Sequence, residues 1–496
     1  MRSLRISYGV LIASASAVLV GNGCKVGPDY VAPATTMPSA YASTQPTTAP
    51  TTQAAQDARL AAMQLAAWWR TFDDPMLSSL VEEATAANLD VRIATSRIRQ
   101  ARAQRGVVSS TGQPQANADA GYTRSRSSQT LTGTPSGGSS SGSTQSDFWT
   151  AGFDASWELD VFGGLKRATE AADVNIQVSV EDGRDVLVSV QAEVARTYTE
   201  LRGAQLQLEV TRNNIRAQGQ TLEIAKSRFA AGVVSEVDVA RAEAQVSTTA
   251  AQIPTFTSII RQSIYRLSVL LAKQPNELSD RLTPQKPLPI APMDIPAGQP
   301  GELLRRRPDI RRTERQLAAA TAQIGAAKSD LYPKFSLIGS AGRRSIQFGH
   351  WWDGDSNFWS IGPQMSWAIL NGGRVKSNIE IQNAVQEQAN LVFQRTVLLA
   401  VEEVEDSLTG YAQEQRRLET LQAAVKANRR AVELAREQYT RGLTDFTTVL
   451  DAQRAQYATD DLLVQSQRAV VTNAIAVYKA LGGGWMPREQ LPTTQP

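Results

Sequence analysis

Four short segments of the chain alternate apolar and polar residues with a period of two, at about 114–124, 148–159, 333–343 and 357–369. Successive side chains of a β-strand point to opposite faces, so each segment is predicted to be a strand with one apolar face. Each has about 10 residues, the length with which a tilted strand crosses a bilayer. In the clearest segment the apolar positions are Trp149, Ala151, Phe153, Ala155 and Trp157.

A soluble sheet with one buried face would show the same alternation, but two features favour membrane strands. Six of the nine tryptophans lie in these hairpins or their loops, as an interfacial aromatic belt requires. Charged residues also occupy the polar face, as a wet lumen allows: Asp119, Asp154, Glu158 and Lys334. Four strands cannot close a barrel alone and open edges are not tolerated in lipid, so closure requires several copies of the chain.

Each pair of strands is followed by an unusually long helical pattern, predicted at about 165–231 and 373–441. At 1.5 Å per residue, a helix of about 67 residues is about 100 Å long. In the second pattern apolar or large residues repeat with 4,3 spacing, which indicates coiled-coil packing. The repeating positions are Val397, Val401, Val404, Leu408, Tyr411, Gln415, Leu418, Gln422 and Val425.

The two halves of the chain are copies of one unit. Residues 88–92 correspond to 307–311 at an offset of 219 residues, and from Trp157 and Trp367 onwards the offset is 210. The nine-residue difference falls in the Gly/Ser-rich stretch before Trp157. A fixed length over the rest indicates elements that lie side by side, because free loops would tolerate insertions.

Each long helix is predicted to end at a glycine, Gly232 or Gly442, after which a second helix returns at about 235–273 or 444–481. Glycine suits the left-handed position that closes a helix, and Ser235 and Thr444 are candidate N-caps. We expect these glycines to be turn and hinge positions. Pro254 should kink the first return helix.

The first 23 residues are predicted to be a signal peptide, because Arg2 and Arg5 precede an apolar run too short to span a bilayer. Cys24 follows it and is the only cysteine, as at the lipidation site of a bacterial lipoprotein. The usual leucine three residues before the cysteine is replaced by Gly21. Residues 24–57 are rich in Pro, Thr, Ala and Ser, and we interpret them as a lipidated tether that cannot order itself.

Composition argues against several classes of function. The 496 residues have a formal net charge of +3 with Arg and Glu interspersed, which offers no surface for nucleic acid. The single histidine, His350, rules out a histidine cluster for a metal and argues against a Ser-His-Asp site. We therefore predict a protein that is not an enzyme and has no cofactor or metal.

These features together resemble the TolC-like outer-membrane factor family, in its lipoprotein, drug-efflux branch. The resemblance covers essentially the whole mature chain. The residues that carry it are Cys24-Lys-Val-Gly-Pro-Asp-Tyr30, Trp157-Glu-Leu-Asp-Val-Phe-Gly163, Arg306-Arg-Pro-Asp-Ile310, Leu450-Asp-Ala-Gln453 and Lys479-Ala-Leu-Gly-Gly-Gly-Trp485.

The resemblance implies a mainly α-helical homotrimer with a twelve-stranded β-barrel in the outer membrane and a twelve-helix α-barrel in the periplasm. It implies docking to a periplasmic adaptor (membrane fusion) protein and to an inner-membrane RND-type pump. In the family, acidic residues close the periplasmic aperture near the helical turns. By position this makes Asp451 the first aperture candidate, followed by Asp238, Arg241 and Arg454. Asp451 departs from the family pattern in one respect: the residue one turn earlier, Thr448, is not acidic.

The predicted function is passive conduction of small molecules or drugs through a lipid-anchored duct in the cell outer membrane. Two alternatives stay open: a duct for type I protein secretion and, with less support, a periplasmic adaptor lipoprotein. Adaptors lack four membrane-length strands and this whole-chain duplication. The predicted organisation is a signal peptide at 1–23, a tether at 24–57, a first repeat at 58–273, a Pro-rich linker at 274–300, a second repeat at 301–485 and a tail at 486–496.

Overall fold

The structure is a computed structural model that describes residues 25–35, 37–38, 40–41, 62–126 and 145–486. The predicted signal peptide, Cys24 and nearly all of the C-terminal tail lie outside these residues. The described chain forms two compact units. The first contains residues 25–33, 99–126, 145–178 and 314–392, and the second contains the remainder.

The first unit contains a four-stranded antiparallel sheet in the order β1-β2-β3-β4. Strand β2 starts three residues before its predicted boundary, and β4 ends three residues before its own. The register pairs Tyr122 with Trp149 and Ala341 with Trp359. The strands are β1 (Gln115–Arg126), β2 (Gln145–Leu159), β3 (Lys334–Ser345) and β4 (Asn357–Ser366).

The register places the apolar positions of all four strands on one face of the sheet. Phe153 of β2 lies between Ala118 of β1 and Ala341 of β3, and Ala341 in turn pairs with Trp359 of β4. Because directly paired residues point the same way, the two-residue alternation of each strand adds up to a continuous apolar surface. Its side chains are open to solvent in the single chain; Trp359 is 78% exposed.

Within the described residues, β1 and β4 are the edges of this sheet, and neither pairs with a further strand. Pairing also joins the two halves of the chain, since β2 of the first repeat is bonded to β3 of the second. The four strands are therefore one meander, not two separate hairpins. None of the described helices combines the length and the apolar composition that spanning a membrane requires.

The helices follow the same duplicated plan. Each repeat has one helix of 67 residues, and these two helices end at Ala230 and Thr440. The α-helices are α1 (Pro75–Ala87), α2 (Leu89–Ser110), α3 (Gly164–Ala230), α4 (Glu236–Ala250), α5 (Gln252–Leu270), α6 (Pro308–Ser329), α7 (Arg374–Thr440) and α8 (Phe446–Ala480). Single turns occur at Ser279–Leu282 and Leu303–Arg306, and 3₁₀ helices at Trp68–Phe72, Pro300–Glu302, Phe348–His350 and Gly354–Ser356.

The two return helices differ. The second, α8, is unbroken over 35 residues. The first is divided into α4 and α5 at Ala251, three residues before Pro254. A proline removes a helical hydrogen bond and crowds the preceding turn, so a break at this position has a local cause.

The core of the second unit is built around aromatic residues. The ring of Trp68 stacks on Tyr478 with centroids 5.5 Å apart, and Phe72 meets the same tyrosine edge to face. Arg307 ties the start of α6 to the end of α8, since its guanidinium donates to the Ala480 carbonyl at 2.8 Å. The motif around Arg307 therefore has a structural role, which is to join the start of α6 to the end of α8.

The interpretation of residues 24–57 as a tether without order needs correction for residues 25–35, 37–38 and 40–41, while residues 42–57 lie outside the described part of the chain. Tyr41 is only 2% exposed and belongs to the aromatic core of the second unit. Residues 25–30 are also held in place, by contacts described below. The segment has too few apolar side chains to form a core of its own. In its described part, Tyr41 is buried in the core of the second unit, and the Val26 and Gly27 carbonyls accept hydrogen bonds from Arg167.

Candidate functional site

The two helical turns have almost the same backbone. Gly232 and Gly442 adopt φ values of 73° and 76°, in the left-handed region that glycine enters without steric cost. At each turn the amide after the glycine donates to a carbonyl five residues earlier: Val233 to Arg228 at 2.9 Å and Leu443 to Gln438 at 2.9 Å. This is the hydrogen bond of a Schellman motif, and it explains why both long helices end where a glycine follows.

The residue that starts each return helix differs in part from prediction. Ser235 and Asp445 occupy the two N-cap positions, and neither side chain makes a capping hydrogen bond. Thr444, the predicted second N-cap, instead bonds through its hydroxyl to Thr448 at 3.1 Å. Ser235 and Asp445 are equivalent at the 210-residue offset, so the repeat would have located the second cap correctly.

A small apolar cluster holds the two turns together. Tyr439 is 2% exposed and packs edge to face on Phe446 with centroids 5.5 Å apart. Short side chains from all four helices surround these rings, which lets the helices approach closely. The cluster consists of Ala225, Ala242, Ala435, Tyr439, Phe446, Val449 and Leu450.

Arg228 covers this cluster. Its guanidinium carbon lies 4.5 Å from the centre of the Tyr439 ring, and it donates a hydrogen bond to the Tyr439 backbone carbonyl. Burial raises the pKa of the Tyr439 phenol; Arg228 opposes this shift and Asp238 adds to it. Arg228 therefore joins the end of the first long helix to the end of the second. Sequence reasoning missed this contact.

The four aperture candidates do not form one cluster in the single chain. Asp451 and Arg454 lie together, with Nη1 and Oδ1 4.0 Å apart and side chains 57% (Arg454) and 70% (Asp451) exposed. Arg454 also donates to Gln245 of the first repeat at 2.9 Å. Asp238 is half-buried near Tyr439, and Arg241 is exposed. Among the described residues no ion pair joins Asp238 or Arg241 to Asp451.

A polar contact inside the helix packing lies close to these candidates. The Gln453 amide donates to the Thr221 hydroxyl at 2.9 Å, and this bond is buried. Gln453 belongs to the Leu450-Asp-Ala-Gln453 motif, so that motif places one side chain inward against α3 and another, Asp451, outward. Exposed and buried positions alternate here with the helical period.

In the first unit, Arg167 at the start of α3 holds the residues that follow Cys24. Its side chain is 1% exposed and donates to the Val26 and Gly27 carbonyls, each at 3.1 Å, and to Asp29 at 2.9 Å. The chain passes so close to α6 that a Cβ on Gly27 would meet the Gly325 Cα at 2.4 Å. Residues 25–29 therefore run over a surface made by α3 and α6.

Two outer contacts extend this arrangement. The Lys25 ammonium lies 2.7 Å from Glu170, and the Tyr30 hydroxyl donates to Glu314 at 3.1 Å. These contacts involve the Lys25–Tyr30 part of the motif that was noted from sequence, which gives that motif a physical role. The residue next to the predicted lipid site is fixed to the start of a long helix.

The helix-side end of the sheet carries matching tryptophans. The indole N–H of Trp157 donates to the Gly112 carbonyl at 3.0 Å, and that of Trp367 donates to the Leu331 carbonyl at 3.1 Å. Donors and acceptors are equivalent in the two repeats. Such side chains, with a bonded polar edge and an apolar body, suit a membrane interface.

Comparisons with known proteins agree with this geometry. A family model described as "Outer membrane efflux protein" matches residues 80–273 and 300–483. The solvent efflux pump outer membrane protein SrpC of Pseudomonas putida is 31% identical over 473 residues, which cover 95% of this chain and 97% of that protein. Nodulation protein T of Rhizobium leguminosarum bv. trifolii is 29% identical over 474 residues, which cover 95% and 96%.

The solved structures lead to the same result. The outer-membrane channel OprN superposes with a TM-score of 0.81 at 34% identity, covering 94% of this chain and all of that one. CusC superposes with a TM-score of 0.76 at 27% identity, covering 93% and 100%. The resemblance noted from the sequence is confirmed, and so is the predicted fold class, a mainly α-helical channel protein with a smaller β portion and long helices.

Proposed function

Because the chain belongs to the outer membrane efflux protein family, we propose that it is the outer-membrane channel of a tripartite efflux system. It conducts small molecules passively, and an inner-membrane RND-type pump and a periplasmic adaptor supply energy and opening. Relatives matched over nearly their whole length are named as efflux pump components for solvents and antibiotics. The observation that carries the proposal is the continuous apolar face of a sheet with two open edges.

Those edges support a homotrimer. An unpaired strand edge in lipid leaves N–H and C=O groups without partners, at a cost of several kcal/mol for each group. Pairing β1 of one copy with β4 of the next removes both edges. Three copies give twelve strands and, from the long and return helices, a twelve-helix periplasmic tube.

The N-terminal contacts support a lipid anchor at Cys24. Arg167 and Gly325 fix residues 25–29 beside α3, and Trp157 and Trp367 lie at the helix-side end of the sheet in the same unit. A diacylated and N-acylated cysteine next to Lys25 would insert its chains into the leaflet that these tryptophans contact. Localisation to the outer membrane is supported by the family and its relatives, and the proposed anchor would leave the long helices in the periplasm.

We place the periplasmic aperture at the helical turns, with Asp451 as its main acidic residue and Asp238, Arg241 and Arg454 beside it. Rings of charged side chains in a pore select ions and can link subunits in a closed state. Gly232 and Gly442 act as the hinges about which the return helices move outward. The proposal includes no catalytic step and no cofactor besides the covalent lipid.

Type I protein secretion remains the second candidate within the same architecture. The names of the relatives favour small-molecule efflux. A deletion strain separates the two: its susceptibility to a panel of organic solvents and antibiotics should rise at least fourfold and be restored by the gene in trans. Unchanged susceptibility together with loss of a secreted protein from the medium would support the secretion alternative.

The trimer is tested with the purified full-length protein. Cysteines placed at one position in β1 and one in β4 should form a disulfide between chains and produce a covalent trimer on a denaturing gel. A cysteine pair at Gly121 and Thr150, which face each other in β1 and β2, is the control and should link only within one chain. A ladder that stops at the dimer would contradict three-fold closure.

A further inference from the structure

The apolar face of the sheet is charged at one end only. The four strands alternate strictly, so the side chains on this face can be read from the register. The charged residues among them are Arg124, Arg126, Asp147 and Arg343. All four lie at the loop end of the sheet, away from the ends that lead into α3 and α7. The helix end of the same face carries Ala116, Leu159, Phe335 and Met365.

Three of these charged residues are arginines, and we call them the arginine rim: Arg124, Arg126 and Arg343. Within the described part of the chain, Arg124 alone has a carboxylate within ion-pair distance, with its Nε 3.6 Å from Oδ1 of Asp147. No carboxylate among the described residues lies within ion-pair distance of Arg126 or Arg343. Arg343 instead donates to the Trp351 carbonyl at 3.2 Å and lies 5.3 Å from the centre of the Trp352 ring. The rim therefore carries a net positive charge.

Aromatic side chains surround the rim. Tyr122 and Trp149 pack with centroids 4.2 Å apart, and Trp149 contacts Phe348 at 4.9 Å. Trp352 is 74% exposed. Aromatic residues of this kind are typical of the boundary between hydrocarbon and headgroups. If the apolar face contacts lipid, the arginines would therefore lie at headgroup depth and not in the hydrocarbon.

We propose that the arginine rim binds the phosphate groups of a lipid in the leaflet that surrounds the loop end of the sheet. The proposal rests on the proposed function, because the apolar face must contact lipid. In an outer membrane that leaflet consists of a phosphorylated glycolipid. A guanidinium presents two parallel N–H donors to a phosphate, and charge-assisted bonds of this type are among the stronger ones in proteins. Acyl chains of the same lipid would cover Phe153 and Ala341 below.

The neighbour of Arg343 offers a matched control. Arg344 has the same charge and lies one residue further along β3, so it points to the other face of the sheet. Its guanidinium carbon is 3.9 Å from the centre of the Phe358 ring, and Phe358 pairs with Gly342 on that face. A lipid on the apolar face cannot reach it.

The experiment measures binding of diphosphorylated lipid A to the full-length protein in detergent by native mass spectrometry. The variant is the double substitution Arg126→Gln and Arg343→Gln, and the control is Arg344→Gln. We expect the affinity of the double variant for lipid A to fall at least tenfold, because two charge-assisted bonds are lost. The control should stay within twofold of the natural chain. Lipid A without its phosphates should bind all three proteins equally weakly.

Three results would overturn the proposal: undiminished binding by the double variant, an equal loss in the Arg344→Gln control, or displacement of lipid A by an equimolar amount of inorganic phosphate. Conductance of the same preparations in planar bilayers separates this inference from the proposed function. A double variant that conducts normally and still binds lipid A refutes the rim and leaves the channel intact. Absence of conductance from every preparation refutes the channel instead.

Discussion

The turns at Gly232 and Gly442 are two copies of one backbone with different side chains. Both glycines are in the left-handed region, and both are followed by the same hydrogen bond at 2.9 Å. Their surroundings differ. A Cβ on Gly232 would meet no described atom within 4 Å, whereas one on Gly442 would lie 3.7 Å from the Arg228 guanidinium. The repeat has thus kept its chain path and changed its contacts.

Equivalent positions of the two turns carry different side chains. Arg228 corresponds to Gln438, and Phe229 corresponds to Tyr439; Phe229 is 45% exposed while Tyr439 is 2% exposed. Further on, Arg241 corresponds to Asp451. The first turn therefore provides the cation, Arg228, and the second provides the buried ring of Tyr439 that this cation covers. The two halves thus share the backbone of the turn, and the contact between them is made by residues that differ between the repeats.

The largest expected effect comes from substituting the turn glycines. We expect Gly232→Val and Gly442→Val each to destabilise its own turn by about 1–2 kcal/mol, because a side chain is strained at positive φ. Hydrogen exchange at the amides of Val233 and Leu443, which close the two turns, measures this directly. Exchange should be faster by a factor of about 5–30.

Gly219 provides a control position at which an added side chain is not strained. It lies inside α3, its φ is not in the left-handed region, and a Cβ at this position would meet no described atom within 4 Å. Gly219→Ala should stabilise the helix by about 0.5–1 kcal/mol. A cost at only one of the two turns would show that the backbones are not equivalent in solution.

The second largest expected effect is a loss of stability about half that of the glycine substitutions, and it tests the contact between the two halves of the chain. Arg228→Gln makes the first turn resemble the second and removes both the bond to the Tyr439 carbonyl and the contact with its ring. Since Arg228 is only half-buried, we expect a loss of about 1 kcal/mol. Exchange of the Leu443 amide should become about fivefold faster.

The reciprocal change, Gln438→Arg, should alter the free energy of unfolding by less than about 0.5 kcal/mol. Gln438 is exposed, and Phe229, which is equivalent to Tyr439 in the first turn, is 45% exposed and not part of a buried cluster. Equal losses of stability on Arg228→Gln and Gln438→Arg would contradict the contact of Arg228 with Tyr439 as the feature that distinguishes the two turns.

These contacts also mark the limit of prediction from sequence. The 210-residue offset located both turns and the two-residue alternation located the apolar face of the sheet, because both are regular patterns that can be read directly from the sequence. The contact of Arg228 with Tyr439 joins residues 211 apart and breaks the repeat, so no periodic signal contains it. Tyr41 was missed for a related reason, since its order depends on a core formed by other segments.

The third effect concerns charge and should appear in conductance more than in stability. Asp451 and Arg454 are 4.0 Å apart and well exposed, so Asp451→Ala should change stability by less than about 0.5 kcal/mol. If Asp451 lines the aperture, the same substitution should raise the leak conductance of purified trimers in planar bilayers. The effect should shrink at high salt because the charge is screened.

Two further substitutions complete this test: Arg241→Ala, at the position of the first turn equivalent to Asp451, and Asp445→Ala, at the exposed N-cap of α8, the helix that contains Asp451. Arg241→Ala should change the leak less than Asp451→Ala, and Asp445→Ala should leave it unchanged, since the Asp445 side chain makes no capping bond. Equal single-channel conductance in all four proteins would remove Asp451 from the aperture.

The smallest effect comes from Tyr439→Phe, which makes the second turn match Phe229 of the first. The buried Tyr439 hydroxyl has no hydrogen-bond partner among the described residues, so its removal at neutral pH should change the free energy of unfolding by less than about 0.5 kcal/mol.

Alkaline pH should reveal a difference in stability between the natural chain and Tyr439→Phe. Burial raises the pKa of this phenol above its ordinary value of 10.0, so its contribution to stability is complete below pH 10. That contribution is lost as pH rises through the raised pKa. The natural chain should therefore lose more stability than Tyr439→Phe between about pH 9 and 12 in denaturant titrations, whereas identical pH profiles would show that the phenol is not buried under Arg228.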